Sequence, residues 1–539
     1  MSFARAIATV GGLTMLSRLA GFARDILTAA VLGAGPVADA FFVALKLPNL
    51  FRRMFAEGAF SVAFVPLFAS ELHKNGRQAA IAFAEEAMAA LLAVLVPFAI
   101  LAVAGMPALM HVLAPGFADE PAKFDLAVGM ARLTFPYLVL ISLVALLGGV
   151  LNALDRFGPF AAAPVAFNLT LIAALLVAPH LGFDPGFSMA VAVTLSGVVQ
   201  LAWMAWACRR EGIALRLIRP RLSEGMRRLF RLIGPGALGA GVMQLNLFLN
   251  MVLATLLPTG AVSYLYYADR LNQMPLGIIG IAIGTALLPV LSRHVAAGDG
   301  DAVRAHVSRA LEYALLLGLP AATALAVAGH PIIAVLFERG AFGPAESVAT
   351  AQALAAYAAG IPAAVLVKVL SAAFFARHDT ATPVRAAVAM TVANVGLALA
   401  LIPLLGHVGI ALATGIAAWL NAALLARSLH RRGQFDVDAR LRRRGPRILL
   451  AALGMGAGLA AGMTALAPFL DAGATAVRFG ALALLVAGGG GLFLALAQVL
   501  GGTDLSDLKA LAGRRAAAST PTRLDPRDRA AHKTRLPEA

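Results

Sequence analysis

Eight cationic side chains, Arg18, Arg24, Lys46, Arg52, Arg53, Arg132, Arg270 and Lys368, fall inside stretches otherwise apolar enough to cross a bilayer. On the insertion scale a cation costs about 2.5–3.5 kcal/mol at the centre of a membrane helix, so exposing all eight to lipid would cost on the order of 20 kcal/mol or more. They must face water, a partner or a ligand. Local pairing accounts for some of them. Arg53 and Glu57 are four apart on one helix and Asp269 neighbours Arg270, Lys46 and Lys368 can snorkel or pair, and Arg132 lies near a boundary. Arg18, Arg24, Arg52 and Arg270 are harder to absorb, because a guanidinium stays charged and its planar fork of donors matches phosphate. Four such forks around one cavity would suit a polyanion, and a diphosphate is the obvious candidate. The acids at the same depth are few: Asp25, Asp39, Glu57 and Asp269, with Glu85 and Glu86 at the start of the third stretch.

The elements that must position these groups are membrane helices. Of 539 residues, 60% are apolar and 13% are charged, against about 25% charged in a soluble domain. That balance excludes a soluble enzyme and a disordered chain. The reading is an all-α polytopic membrane protein with fourteen transmembrane helices, near residues 7–32, 38–69, 80–108, 126–151, 160–179, 186–207, 232–257, 262–292, 307–328, 347–376, 384–403, 408–427, 448–468 and 476–501. The connections are short, so any function sits among the helices. Cys208 has no second cysteine, which excludes an internal disulfide and a thiolate zinc cluster.

Lys and Arg set the expected orientation, because cytoplasmic loops retain positive charge. The N-terminus, the even-numbered connections and the tail hold 33 of the 44, whereas the other face holds only Lys123, Arg339 and Arg478. Both termini are therefore expected in the cytoplasm. The formal charge of +16 is then mostly a topology signal, and nucleic acid is not an expected partner. Arg18 and Arg24 interrupt the first apolar stretch and no small-residue cleavage site follows, so it reads as a retained span. The tail from 504 to 539, with Arg514, Arg515, Arg523, Arg527, Arg529, Lys533 and Arg535, reads as a disordered arm near anionic lipid.

Gly21, Pro48, Pro66 and Pro289 interrupt the charged spans, as in transporters whose helices bend around a cavity. An internal repeat is also visible. Gly58-Ala-Phe-Ser-Val-Ala-Phe-Val-Pro66 lies 223 residues ahead of Ile281-Ala-Ile-Gly-Thr-Ala-Leu-Leu-Pro289; the same offset sets Phe41 against Tyr264, and Arg156 has a looser counterpart in Arg377. The expected architecture is two six-helix lobes related by a pseudo-two-fold axis along the membrane normal, 1–222 and 223–432, then two further helices in 433–503. A cleft between the lobes is the natural alternating-access site.

Arg18-Leu-Ala-Gly-Phe-Ala-Arg24-Asp25, Asp39-Ala-Phe-Phe-Val-Ala-Leu-Lys-Leu-Pro48-Asn-Leu-Phe-Arg52-Arg-Met-Phe-Ala-Glu57-Gly-Ala-Phe-Ser61 and Tyr266-Tyr-Ala-Asp269-Arg270-Leu resemble the MurJ (MviN) lipid II flippases of the MOP exporter superfamily. The resemblance runs over nearly the whole chain. It implies translocation of undecaprenyl-diphosphate-linked peptidoglycan precursor from the cytoplasmic to the periplasmic leaflet of the bacterial inner membrane. Lipid II, membrane lipids and other cell-wall synthesis proteins are the implied partners, with a monomer expected.

The same resemblance makes Arg18, Arg24, Arg52 and Arg270 the diphosphate-binding cavity residues. It gives Asp25, Asp39, Arg53, Glu57, Ser61 and Asp269 lesser roles in the cavity or gate. Some relatives carry a sodium site in the seventh and eleventh spans; Asn394 is present, but the seventh span offers Gln244 and Asn246 and no matching acid, so no metal or cofactor is expected. Coupling to membrane potential or an ion gradient is the expected drive. The last two helices, in relatives, form a groove for the lipid tail, although Gly454, Gly456, Gly458 and Gly462 are also explained by close helix packing.

The nearest alternatives are a flippase for another lipid-linked oligosaccharide and a drug/cation antiporter of the same architecture, for which an acidic cavity would serve better. A membrane transferase is a further alternative, but its only acid–base candidates, His294 with Asp299 and His180 with Asp184, fall in loops on opposite faces. Catalysis is not expected. A non-transporting scaffold would require the buried arginines to be fully paired.

Overall fold

The computed structural model describes residues 3–52, 60–471 and 474–504, so Arg53 and Glu57, and the tail from 505 onward, lie outside the described residues. The described chain is helical. A long α1 (Phe3–Leu32) and a shorter α2 (Pro36–Phe51) lead to α3 (Ser61–Ala104), α4 (Met106–Leu113), α5 (Pro121–Thr134), α6 (Tyr137–Ala153), α7 (Gly158–Val177) and α8 (Pro185–Arg210). The pattern then recurs as α9 (Glu224–Thr255), α10 (Ala261–Ala296), α11 (Gly300–Val327), α12 (Gly329–Phe337), α13 (Pro344–Ala358), α14 (Ile361–Phe375), α15 (Ala381–Leu405) and α16 (His407–Arg431), followed by α17 (Ala439–Asp471) and α18 (Thr475–Val499).

The repeat is written in the backbone as well as in the sequence. Met106 and Gly329, Pro121 and Pro344, and Gly158 and Ala381 open matching helices at the 223-residue offset. Left-handed residues recur with them: Gly76 with Gly298, Gly182 with Gly406, Gly212 with Gly433, and the non-glycine pair Asp155 (φ 59°) and His378 (φ 60°). Because a left-handed residue fixes where a helix ends, the partner of Arg156 is Asp379 and not Arg377, which bonds the Ala373 carbonyl of its own helix. Arg156 pairs with Glu211 at 3.0 Å and Asp379 with Arg432 at 2.7 Å, the same bridge with its polarity reversed. Bonds from the Thr382 amide and hydroxyl, and then from Arg432, hold the Asp379 carboxyl well below the usual carboxylate range.

Ten helical stretches among the described residues are long and apolar enough to cross a membrane. They are drawn from α3, α5–α8, α11 and α13–α18, and large apolar side chains such as Val392, Leu399 and Leu404 of α15 point outward from the protein, as lipid contact requires. Four helices, α1, α2, α9 and α10, carry Arg18, Arg24, Asp25, Asp39, Lys46, Asn246, Asn250, Asp269 and Arg270. Most of these residues line interior cavities.

The expected breaks at proline are not where the chain breaks. α10 runs through Pro275 and Pro289, and α3 through Pro66 and Pro97; the non-helical residue is Gly76 (φ 81°, ψ −179°). A proline forfeits one backbone bond, whereas opening the helix at bilayer depth would strand several. The acid–base candidates also resolve locally, since Asp184 and Asp299 are N-caps accepting from Phe187 and Ala302 amides at 2.8 and 2.9 Å.

Two packing devices complete the frame. Gly454, Gly458 and Gly462 face Leu496, Leu492 and Leu485 of α18, where an added methyl would lie within 3 Å of each leucine, so these glycines set the α17–α18 distance. Glu312 of α11, buried, accepts from Arg440 (2.8 and 3.1 Å) and Arg444 (2.7 Å) and ties the start of α17 to the rest of the chain. At one end of the molecule the two repeats close on each other through glycine contacts: a Cβ on Gly340 (φ 59°) would sit 2.2 Å from the Ala30 carbonyl oxygen, and one on Gly33 (φ 65°) 2.4 Å from that of Ala341.

This seam makes a measurable claim. Gly340→Ala and Gly298→Ala both place a side chain at positive φ, which costs about 1–2 kcal/mol, but Gly298 has open space around it. Thermal unfolding of the purified protein should show the larger loss for Gly340→Ala; equal losses would mean that the seam is loose.

Candidate functional site: an arginine-lined cavity

Arg24 and Asp25 are consecutive on α1, and their side chains meet in the interior. Arg24 Nη2 donates to Asp25 Oδ1 at 2.6 Å and Nε at 3.2 Å, while Nη1 donates to Asn168 Oδ1 of α7 at 3.0 Å. Gly21 lies beside the Asn168 side chain, whose amide nitrogen would be 3.4 Å from a Cβ at that position, an ordinary contact. From α10, Arg270 brings Nε to 3.2 Å from Asp25 Oδ2 and donates from Nη2 to the Tyr266 hydroxyl at 2.8 Å. The Tyr266 hydroxyl in turn donates to Asp25 Oδ1 at 3.2 Å. Two guanidinium groups from the two repeats thus share one carboxylate. Their positive charge is only partly neutralised, and Arg24 is buried while the Arg270 side chain keeps 38% of its surface.

The expectation that Arg270 would pair with its neighbour Asp269 is therefore corrected. Successive residues on a helix point about 100° apart, and Asp269 accepts instead from Gln273, one turn on.

Three adjoining cavities meet at this cluster. One of about 240 Å³ is lined by Arg24, Lys46, Arg52, Asp269 and Arg270; a second of about 720 Å³ by Arg18, Arg24, Asp25, Arg270 and Lys368; a third of about 430 Å³ by Arg52, Asn168 and Gln200. Arg24 and Arg270 stand where the first two join, with Arg52 on one side and Arg18 on the other. The four arginines are brought together along one continuous path rather than around a single chamber. Lys368 crosses from α14 to donate to the Leu276 carbonyl at 3.1 Å, and Arg132 donates to the Val103 carbonyl at 3.2 Å. Ser61 opens α3, half-buried.

Asp39 is elsewhere. Its carboxylate is fully buried at the closed end, accepting from the Gly260 and Ser263 amides at 2.8 and 3.0 Å and the Ser263 hydroxyl at 2.6 Å, with Lys123 Nζ at 3.2 Å. It caps the N-terminus of α10 from α2, and so belongs to a latch between the repeats and not to the cavity wall. Lys123, Ser263, Tyr266 and Asn168 were not singled out from the sequence. Tyr266 lies four residues before Arg270 on one helix face, while Asn168 and Thr170 are the polar residues of an otherwise apolar helix; those were the available signals.

The position raised for sodium holds three carboxamides and a hydroxyl. Asn394 Nδ2 donates to the Oδ1 atoms of Asn246 and Asn250, each at 2.7 Å, and its own Oδ1 accepts from Thr414 at 3.3 Å. Among the described residues no carboxylate joins them, and an N–H group occupies the place between the two oxygens, so the set as it stands does not fit a cation.

The family model for lipid II flippase MurJ matches residues 28–472. The chain belongs to the lipid II flippase MurJ family. It is 44% identical over 525 residues to a probable lipid II flippase MurJ of Rhizobium meliloti (strain 1021), covering 96% of this chain and 98% of that one. It is 37% identical over 441 residues to the lipid II flippase MurJ of Burkholderia cenocepacia, covering 81% and 85%. Among solved structures, lipid II flippase MurJ in an inward closed conformation matches with a TM-score of 0.76 at 23% identity, over 91% of this chain and 98% of that one. A multidrug resistance MATE family transporter of the MOP superfamily, inward-facing, matches with a TM-score of 0.65 at 17% identity, over 79% and 98%, and shares the fold. MurJ family members are transporters and not enzymes, and this member is a multi-pass membrane protein.

The Asp39 latch has its own test. Removing one partner of a buried ion pair costs about 3–5 kcal/mol, because the other charge is left uncompensated. Asp39→Asn should lower the unfolding midpoint sharply, and Asp39→Asn with Lys123→Met should recover part of it. A double variant no better than the single one would deny the pair.

Proposed function

We infer that this protein is a lipid II flippase: it carries a lipid whose head group is joined through a diphosphate, from the cytoplasmic to the periplasmic leaflet of the bacterial inner membrane. One observation carries the reading. Arg24 and Arg270, from opposite repeats, converge on a single carboxylate where two cavities join. A diphosphate bears about two negative charges and many acceptor oxygens, so it competes with Asp25 for both guanidinium groups at once.

The fourteen spans, the two six-helix lobes with their pseudo-two-fold axis and the two added helices are the frame in which this exchange operates. With both termini cytoplasmic, the end closed by Asp39, Gly260 and Ser263 is the periplasmic end, and the cavity of Arg18 is the entry side. A head group entering there meets Arg18 first, then Arg24 and Arg270, and rocking of the lobes about the arginine cluster parts the Asp39 latch. The lipid tail stays in hydrocarbon alongside α17 and α18. Membrane potential is the proposed drive, worth about 2.3 kcal/mol per charge per 100 mV. The protein acts as a monomer, with other cell-wall synthesis proteins as proposed neighbours.

Cost arithmetic sets the test. A hydrogen bond to a charged group contributes about 1.5–3 kcal/mol, so Arg24→Ala and Arg270→Ala should each insert normally and lose about 10- to 100-fold in lipid II translocation by reconstituted vesicles. Unchanged rates would remove the diphosphate from this site; faster transport of a different glycan would move the assignment to another lipid-linked oligosaccharide.

A further inference from the structure

Beside the arginine cavity lies another of about 100 Å³, sharing Phe42, Lys46, Tyr266 and Asp269 with it. Its far wall is different in kind: Asn246 and Asn250 of α9, Tyr357 of α13 and Thr414 of α16. Among the described residues that line it there is no arginine. Polar groups at bilayer depth are costly unless satisfied, and here the carboxamides are held in one orientation. The fully buried Asn394 turns the Oδ1 atoms of both Asn246 and Asn250 toward itself, and Asn250 Nδ2 donates to the Thr414 hydroxyl at 3.2 Å. That leaves the Asn246 amide nitrogen as the donor which this side chain presents to the cavity. The shared wall is aromatic, with Phe42 and Tyr266 stacked at 3.8 Å between centroids.

Packing α9, α15 and α16 together by hydrogen bonds explains Asn394. It does not explain why three of the four members of the network also face a cavity. A rim of amides and hydroxyls is what the edge of a pyranose requires, because its neutral hydroxyl and acetamido groups bond there, while the Phe42–Tyr266 stack, whose facing rings cover each other, closes the apolar side of the cavity. The first sugar of the head group is bonded directly to the diphosphate, so the diphosphate's site fixes the sugar's neighbourhood to the adjoining space. The cavity of about 430 Å³ also has polar side chains on its wall, of which Gln200 is committed to the Ala163 carbonyl with Tyr137 and Asn168 to Arg24 with the Ser17 carbonyl.

We propose that the cavity of Asn246, Asn250, Tyr357 and Thr414 is the subsite for the N-acetylated hexopyranose next to the diphosphate. This rests on the diphosphate reading above. Phosphate charge is handled by arginine in one cavity and sugar identity by carboxamides in the next.

The test compares two probes on the full-length protein in nanodiscs: lipid II, and undecaprenyl diphosphate, which has no sugar. Wild type should bind lipid II more tightly. Asn246→Ala and Thr414→Val should each lose about 10-fold for lipid II with undecaprenyl diphosphate binding unchanged, and Arg24→Ala should weaken both probes. Asn246→Ala removes one wall group and one acceptor of Asn394 but leaves the Asn394–Asn250–Thr414 bonds in place, and unchanged undecaprenyl diphosphate binding separates recognition from folding. Equal losses for both probes, no loss for either, or a wild type indifferent to the sugar would overturn the subsite. Failure of wild type to bind either probe would overturn the diphosphate site itself.

Discussion

The shared carboxylate of Asp25 is the constraint on which the rest of the molecule depends. Two guanidinium groups at bilayer depth repel each other and are expensive to desolvate, and without an acid between them the repeats could not bring α1 and α10 together there. With one carboxylate for two arginines, the cluster is stable enough to form and still carries a net positive charge. It is thus a structural joint, and in the proposed reading a diphosphate competes with Asp25 for its two guanidinium groups. Tyr266 and Asn168 help to hold its geometry, the first accepting from Arg270 Nη2 and the second from Arg24 Nη1.

Around this joint the fold separates two kinds of helix. Helices such as α15 turn large apolar side chains outward, whereas α1, α2, α9 and α10 carry the charged and carboxamide side chains that line the interior cavities. The closed end is built from different material: glycine backbones in contact, and one buried carboxylate capping a helix of the opposite repeat. The contacts of this seam are made together, so the rocking proposed above would break them together.

Much of this was legible in the sequence, for identifiable reasons. The cost of burying charge singles out Arg18, Arg24, Arg52 and Arg270 without any knowledge of their contacts, and periodicity of the apolar stretches delivers the helices. Pairing between distant segments was not legible. Asp25 with Arg270, and Asp39 with Lys123 and Ser263, are joined across long sequence separations, so local spacing favoured Asp269 as the partner of Arg270. The chain's break at Gly76 falls in the connection expected between the stretches 38–69 and 80–108, where glycine readily takes the required positive φ, whereas the breaks expected at proline were over-read because proline is the more conspicuous signal. The repeat was visible in the motif around Pro66 and Pro289, but its register at the helix ends needed the left-handed residues Asp155 and His378.

The most direct measurement is an experimental structure of the full chain with lipid II bound. The account requires diphosphate density between Arg24 and Arg270, with Asp25 released from at least one of them. Diphosphate density elsewhere, with Asp25 still bonded to both guanidinium groups, would contradict it.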